Sequence, residues 1–237
     1  MVQGLEIILE ERGVVVVRIA RPPDNAFTPA MCRELAALLA DPPRGARLLR
    51  LTADGPVFCR GREPSGKGAE AARATLDALT DVTRLLAGTS LVTVAEVAGE
   101  AAGFGVGLVA QCDVAVASRA ARFWFPEVTY GLAPALVLSW LPRLVGRRQA
   151  FWLTASGSIL GAAEAQSLGM VTMVAEADQL GSRVEDVIST LLRYPAAVQR
   201  EIKRLLADFQ SVEQSVAYGM ARDRLLISAL TDGGPGD

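Results

Sequence analysis

The first half of the chain alternates between short β-branched segments and longer segments with helical spacing, and this alternation constrains the fold most. LEIILEERGVVVVRIA, ARLLRLTA, SLVTVAEVA and VAVAS have strand character, and the first of them predicts a hairpin. Residues 31–40, which follow the cap-like pair Thr28-Pro29, and residues 69–86 have helical spacing. From the loop PEVTYGLAP onward the pattern is mostly helical to Leu230. We therefore predict an α/β fold with a core at 1–193 and a helical region at 194–237 that ends in a disordered tail.

Composition and missing residue types exclude several functions. The 237 residues are 51% hydrophobic and 21% charged, with a formal net charge of −2, which disfavours a nucleic-acid partner. No apolar run is long enough for a membrane span. The chain has no histidine, so a Ser-His-Asp hydrolase is excluded and we predict no metal site. The opening lacks a basic leader and the three cysteines form no CxxC, so we expect free thiols and a cytoplasmic location.

Residues 61–68, GREPSGKG, come close to the phosphate-binding pattern G-x-x-x-x-G-K-[ST]. Gly68 stands where a hydroxyl should bind magnesium, and Pro64 removes a backbone N–H that a phosphate cradle would use. ADGP also breaks the preceding strand well before Gly61. These features favour a solvated loop over a nucleotide site, although Arg62 and Lys67 are suited to contact phosphate groups.

Two further segments have residues suited to catalysis. GFGVG departs from the dinucleotide pattern G-x-G-x-x-G and instead indicates the start of a helix, where exposed N–H groups can bind an oxyanion. In FWFPEVTYGL, Glu127 is the single carboxylate among apolar neighbours. A buried carboxylate has a raised pKa and suits acid–base catalysis, whereas an exposed loop position would leave Glu127 without such a role.

Five segments together resemble the enoyl-CoA hydratase/isomerase family, the crotonase superfamily. They are RPPDNAFTPAMCREL, PVFCRGRE, AGEAAGFGVGLVAQCDVAVASRAARFWFPEVTYGLAP, LPRLVGRRQA and ILGAAEAQSLGMVTMV. The resemblance covers roughly residues 5 to 230. It implies a spiral of ββα turns with a C-terminal helical trimerisation region. It also implies a coenzyme A thioester as substrate, with no separate cofactor, and a homotrimer or dimer of trimers. The NAF segment and the unusual acid positions are similar to a subgroup of polyketide pathways, which makes an acyl carrier protein a further candidate partner.

The family resemblance also implies the roles of individual residues. The backbone N–H groups of Arg62 and Phe104 would bind the thioester oxygen, and Glu127 would be the catalytic acid. The implied substrate- and coenzyme-binding residues are Arg21, Arg62, Glu63, Pro64, Ser65, Lys67, Gly103, Phe104 and Gly105.

Gly107 is the main departure from the family pattern, because hydratases of the family carry a second glutamate at this position. One acid can still move a proton from one carbon to another, as in the family's Δ3-Δ2-enoyl-CoA isomerases, and we favour this reaction. Three alternatives remain open. The first is a hydratase that recruits Glu63 or Glu100, the second is a decarboxylase or lyase acting on a carrier-bound polyketide thioester, and the third is an acyl-CoA binder without activity.

Overall fold

In a computed structural model, which describes residues 2–64 and 66–231, the chain forms two β-sheets. The strands are β1 (Leu5–Leu9), β2 (Val14–Ile19), β3 (Leu48–Ala53), β4 (Val57–Cys59), β5 (Val92–Val97), β6 (Glu100–Ala102), β7 (Val114–Ser118), β8 (Arg122–Trp124), β9 (Leu160–Gly161) and β10 (Met173–Ala175). The main sheet has the order β1-β2-β3-β5-β7-β10, and the small sheet has the order β4-β6-β8-β9.

Helices follow or connect these strands. They are α1 (Pro29–Ala40), α2 (Ala69–Gly88), α3 (Phe104–Ala110), α4 (Ala135–Leu138), α5 (Leu141–Val145), α6 (Arg147–Ser156), α7 (Ala162–Ser167), α8 (Leu180–Leu192), α9 (Ala196–Gln210) and α10 (Gln214–Thr231), with 3-10 helices at Pro126–Tyr130 and Ala177–Gln179. None of the helices in the described ranges is both long and apolar enough to cross a membrane.

The chain repeats one unit, in which the first strand joins the main sheet, the second joins the small sheet and a helix follows. β3, β4 and α2 form one such turn, and β5, β6 and α3 form the next. Within the main sheet β2, β3, β5, β7 and β10 are parallel, whereas β1 and β2 form the predicted antiparallel hairpin. The predicted spiral of ββα turns is therefore confirmed.

The helix cap and the buried strand pattern that the sequence indicates in the first half are present in the structure. Thr28 caps α1, because its hydroxyl accepts a hydrogen bond from the Met31 N–H at 3.1 Å, and Pro29 is the first helical residue. All but one of the β2 residues are buried, as expected for a strand covered on both faces. The side chains of α1 and α2 complete the core beneath the sheet.

Four short strands were not predicted, and the structure also corrects three expectations about the second half of the chain, the segment PEVTYGLAP and the strand before residues 61–68. β4 and β6 have three residues each, and β9 and β10 interrupt a half that we expected to be mostly helical. Segments of two or three residues are too short to show a strand period. PEVTYGLAP, predicted as a loop, begins with a 3-10 helix. β4 ends at Cys59 and α2 begins at Ala69, so the strand that we predicted to be missing before residues 61–68 is present.

Helix α9 packs against α2 and β5, α10 packs against α9, and both helices have large apolar side chains that are exposed. Lys203 of α9 donates to the Leu86 and Leu91 carbonyls and to Asp113. Exposed apolar residues of the two helices include Val198, Ile202, Leu206, Tyr218 and Leu225. The division at residue 193 and the trimerisation role of this region stay predictions. The predicted disordered tail lies outside the described residues, apart from Thr231 at the end of α10.

Candidate active site

The loop that follows β4 is held in place by a short strand-like pairing. Arg62 forms a parallel bridge with Phe27, in which Phe27 N–H donates to the Gly61 carbonyl at 3.0 Å and Glu63 N–H donates to Phe27 at 2.9 Å. Successive N–H groups of an extended chain point to opposite sides, so the N–H of Arg62 points away from Phe27. Gly61 has a φ of +112°, a conformation that glycine adopts without strain.

A buried amide fixes the segment that carries Phe27. Asn25 donates to the Val57 carbonyl at 2.6 Å and to the Asp54 carbonyl at 3.1 Å, and its side-chain oxygen accepts from Arg21 N–H at 2.8 Å. These bonds tie the loop before α1 to the start of β4. Sequence reasoning missed this role of Asn25, although NAF was among the segments that carry the family resemblance.

The start of α3 lies directly against the end of β4. A Cβ atom built on Gly105 would lie 2.0 Å from the Cys59 carbonyl oxygen, and one on Gly61 would lie 3.7 Å from the Ala102 carbonyl oxygen. Only a residue without a side chain allows the first approach. The two loops that carry the predicted N–H donors, Arg62 and Phe104, are therefore neighbours.

Phe104 is the first residue of α3, so its N–H precedes the first intrahelical hydrogen bond. That bond runs from Gly107 N–H to the Gly103 carbonyl at 3.2 Å. The Phe104 ring packs edge-on against Phe27, with ring centroids 5.4 Å apart. Phe27 thus contacts both loops, through its backbone to Arg62 and through its ring to Phe104.

Glu127 is half-buried and lies beside the start of α3. Pro126 begins the 3-10 helix and Glu127 is its second residue. One carboxylate oxygen, Oε1, is 3.0 Å from the position of a Cβ on Gly103. The other, Oε2, is buried and has no hydrogen-bond partner among residues 2–64 and 66–231. The exposed-loop alternative for Glu127 is therefore wrong.

Burial raises the pKa of the Glu127 carboxyl above that of an ordinary glutamate. A hydrogen bond from its own backbone N–H and the positive charge of Arg62 act in the opposite direction, with smaller effects on the pKa. A carboxyl with a raised pKa exchanges protons more readily near neutral pH than an exposed one. A raised pKa is the property that the predicted acid–base role of Glu127 requires.

A cavity of about 430 Å³ opens beside these groups. Its lining includes Arg21, Arg62, Glu63, Pro64, Ala102 and Pro126. Ala102 directly precedes Gly103, and Pro126 directly precedes Glu127. Arg62 thus lines the cavity itself, whereas Glu127 and Phe104 are connected to it through these neighbouring residues and are not among its described lining.

The structure places the other predicted binding residues in different surroundings. Arg21 and Glu63 form an ion pair at the cavity wall. Lys67 is exposed and is not among the described residues that line the cavity. Ser65 lies outside the described residues. Gly103 and Gly105 contribute close backbone contacts, the first to Glu127 and the second to Cys59.

Both alternative acids, Glu63 and Glu100, are engaged in ion pairs with arginines. Glu63 is paired with Arg21, and Glu100 is paired with Arg60. Gly107 itself is buried, and Cζ2 of Trp140 lies 3.7 Å from the position of its Cβ. Trp140 was not singled out in the sequence, where a lone tryptophan before LPRLVG has no recognisable signal.

Comparison with known proteins gives consistent matches over almost the whole chain. A sequence model described as enoyl-CoA hydratase/isomerase matches residues 10–231. The 1,2-epoxyphenylacetyl-CoA isomerase of Escherichia coli (strain K12) is 28% identical over 232 residues, which cover 92% of this chain and 88% of that protein.

Two solved structures are similar over the same extent. The enoyl-CoA hydratase of Mycobacterium smegmatis has a TM-score of 0.89 at 29% identity, covering 98% of this chain and 92% of the other. A structure from Thermobifida fusca YX in complex with CoA has a TM-score of 0.87 at 27% identity, covering 96% of this chain and 93% of the other.

Proposed function

Because this chain belongs to the enoyl-CoA hydratase/isomerase family and has its crotonase-like fold, we propose that it is an acyl-CoA enzyme that shifts a carbon–carbon double bond. In this proposal Glu127 is the one acid–base group, and 3-enoyl-CoA thioesters are converted to 2-enoyl-CoA thioesters. The observation that carries the proposal is the buried carboxylate oxygen of Glu127 beside the start of α3, which has no hydrogen-bond partner in the part of the chain that the structure describes.

The reaction consists of two proton transfers through one carboxyl group. The Glu127 carboxylate removes a proton from C2, and the electron pair is delocalised over the thioester carbonyl and the double bond. The N–H groups of Arg62 and Phe104 donate to the carbonyl oxygen as it becomes negative. Glu127 then returns the proton to C4, so substrate and product are isomers and no co-reactant is needed. Each oxyanion donor contributes on the order of 3 kcal/mol to stabilisation of the transition state.

We assign the binding of the coenzyme A portion of the substrate to the residues of the cavity wall. Arg21, Arg62, Glu63, Pro64 and the neighbouring Ser65 and Lys67 would accompany the coenzyme portion, and a solved relative with bound CoA supports this type of ligand. Coenzyme A is then part of the substrate. An acyl carrier protein is the other carrier that we consider.

Assembly and location are also proposals. The exposed apolar side chains of α9 and α10 support a homotrimer or a dimer of trimers. Cys32, Cys59 and Cys112 are free, which is expected in the reducing cytoplasm, where we propose that the protein acts.

Hydration of 2-enoyl-CoA is the second candidate. Glu63 lines the same cavity, and several relatives are named hydratases. Against it stands the ion pair with Arg21, which holds the Glu63 carboxylate at the cavity wall.

Replacement of Glu127 by glutamine tests the proposal. Turnover of 3-enoyl-CoA should fall by about 10²–10⁴ with little change in KM, because the amide keeps the shape and loses the proton transfer. Glu176→Gln, at an exposed carboxylate paired with Arg119, is the matched control and should keep native turnover. Unchanged turnover in the Glu127 variant contradicts the proposal. Formation of 3-hydroxyacyl-CoA that is lost in Glu63→Gln supports hydration instead.

A further inference from the structure

The indole of Trp140 and the Glu127 carboxylate lie beside two glycines, Gly107 and Gly103, that are one helical turn apart at the start of α3. Glu127 Oε1 is 3.0 Å from the position of a Cβ on Gly103, and Trp140 Cζ2 is 3.7 Å from that of a Cβ on Gly107. These two glycines are joined by the first hydrogen bond of the helix. One turn of helix rises about 5.4 Å, so the indole and the carboxylate flank adjacent positions of the same short helix.

Trp140 is held there from two further directions. Its ring packs against buried Phe125, with centroids 6.3 Å apart, and Phe125 directly precedes the 3-10 helix that carries Glu127. The backbone N–H of Trp140 donates to the Val137 carbonyl at 3.2 Å, and Leu141, the next residue in the chain, is buried. The indole therefore has a fixed place between α3 and the Glu127 turn.

The volume over Gly107 is thus filled by an apolar ring. A water molecule needs two to four polar partners to occupy a buried site, and the apolar ring carbon that lies over Gly107 provides none. A side chain longer than one carbon at position 107 would have to displace the indole, because Cζ2 is already in van der Waals contact with a Cβ at 3.7 Å.

We propose that Trp140 determines the reaction specificity of this site, because it occupies the space that an activated water and a second carboxylate would need. This inference rests on the proposed proton transfer by Glu127. With the indole in place, the proton held by Glu127 returns to the substrate. Without the indole, water reaches the carboxyl group and competes for that proton.

The same contact explains why one substitution cannot restore hydration. Gly107→Glu adds a carboxylate, but the indole blocks the path of its side chain. Trp140→Ala opens the space, but supplies no second acid. Both changes are needed, so the effects of the two substitutions on hydration should be strongly non-additive.

The experiment compares native protein, Trp140→Ala, Gly107→Glu, the double variant and Trp152→Ala. The last is the matched control, because Trp152 is an exposed indole on α6. Each protein is incubated with 3-enoyl-CoA in D₂O and, separately, with 2-enoyl-CoA in water. The readouts are deuterium at C4 and formation of 3-hydroxyacyl-CoA.

We expect Trp140→Ala to raise the fraction of product with deuterium at C4 by at least about twofold, since exchange then competes with return of the proton. The double variant should hydrate 2-enoyl-CoA at least about tenfold faster than either single variant, because a correctly placed acid–base group contributes 10²–10⁴. The inference is wrong if the Trp140→Ala product carries the same fraction of deuterium at C4 as the product of the native protein. It is also wrong if Gly107→Glu alone hydrates 2-enoyl-CoA as fast as the double variant.

A readout independent of turnover separates failure of this inference from failure of the proposed function. Carbon-13 NMR of labelled glutamate, assigned with Glu127→Gln, follows protonation of Glu127 in each protein. In Trp140→Ala the pKa should fall towards the ordinary glutamate value of about 4.3. The positive charge of Arg62, which lowers the pKa of Glu127, is kept in both proteins. An unchanged titration contradicts water exclusion by Trp140 even if no substrate turns over.

Discussion

Gly105→Ala should damage both the stability and the activity of the protein, because the added methyl group has no space. Its Cβ would lie 2.0 Å from the Cys59 carbonyl oxygen and 2.9 Å from the Cys59 carbonyl carbon. Carbon and oxygen atoms in contact are normally more than 3 Å apart, so α3 and β4 must separate by about 1 Å. Overpacking of this kind typically costs about 1–3 kcal/mol of unfolding free energy.

The same displacement moves the N–H of Phe104 relative to that of Arg62. A misplacement of about 1 Å in a catalytic constellation can lower turnover by about 10²-fold. We therefore expect both a lower midpoint in urea and a lower kcat on 3-enoyl-CoA.

Gly107→Ala is the matched control, since it makes the same change two residues further along α3. Its Cβ would lie 3.7 Å from Trp140, an ordinary contact. Alanine in a helix interior is more favourable than glycine by about 0.5–1 kcal/mol, so this variant should be slightly more stable than the native protein. If Gly105→Ala matches the native protein in both urea midpoint and kcat, the close packing of α3 on β4 has no role in the site.

Three further predictions concern stability. Burial raises the pKa of Glu127, so the native state binds more protons than the unfolded state, and its stability falls as pH rises from the ordinary glutamate pKa through the raised one. In urea titrations, the stability of Glu127→Gln relative to the native protein should therefore increase across this pH range. A stability difference that does not change with pH would contradict the burial effect. Thr28→Ala removes the cap of α1 and should cost about 1 kcal/mol in urea denaturation, whereas no loss would refute the cap. Lys203→Met removes three hydrogen bonds, one of them to Asp113, and should cost about 1–3 kcal/mol, with a native midpoint as the contrary result.

The repeating part of the fold was predictable because its segments are long. β2, β3 and β5 are runs of six residues with mostly buried side chains, and α1 carries a cap signal at Thr28. β4, β6 and β9 have two or three residues each. They are positioned by pairing with strands that are distant in sequence. No local pattern can indicate such a strand.

The candidate site was predictable where motif order identified residues, and unpredictable where only tertiary contacts do so. Arg62, Phe104 and Glu127 were singled out in the sequence, and the structure places them on neighbouring segments, with Arg62 in the lining of the cavity. Asn25 and Trp140 matter through contacts with segments far away in the chain, which a single sequence does not show.

The turn ADGP was misinterpreted because a local pattern does not distinguish the end of a strand from a turn between two sheets. ADGP was interpreted as the end of regular structure before Gly61, and it is instead the turn from the main sheet to the small one. The strand–loop–helix context of a phosphate loop is therefore present. The extended pairing of Arg62 with Phe27 nevertheless distinguishes this loop from one that wraps around a phosphate.

Transfer of a labelled proton tests the one-acid account most directly. The substrate is 3-enoyl-CoA deuterated at C2, the solvent is ordinary water, and mass spectrometry locates deuterium in the 2-enoyl product. If buried Glu127 moves the same proton from C2 to C4, part of the deuterium appears at C4, and Glu127→Gln forms almost no product. Product without deuterium at C4, formed equally fast by Glu127→Gln, would contradict the account.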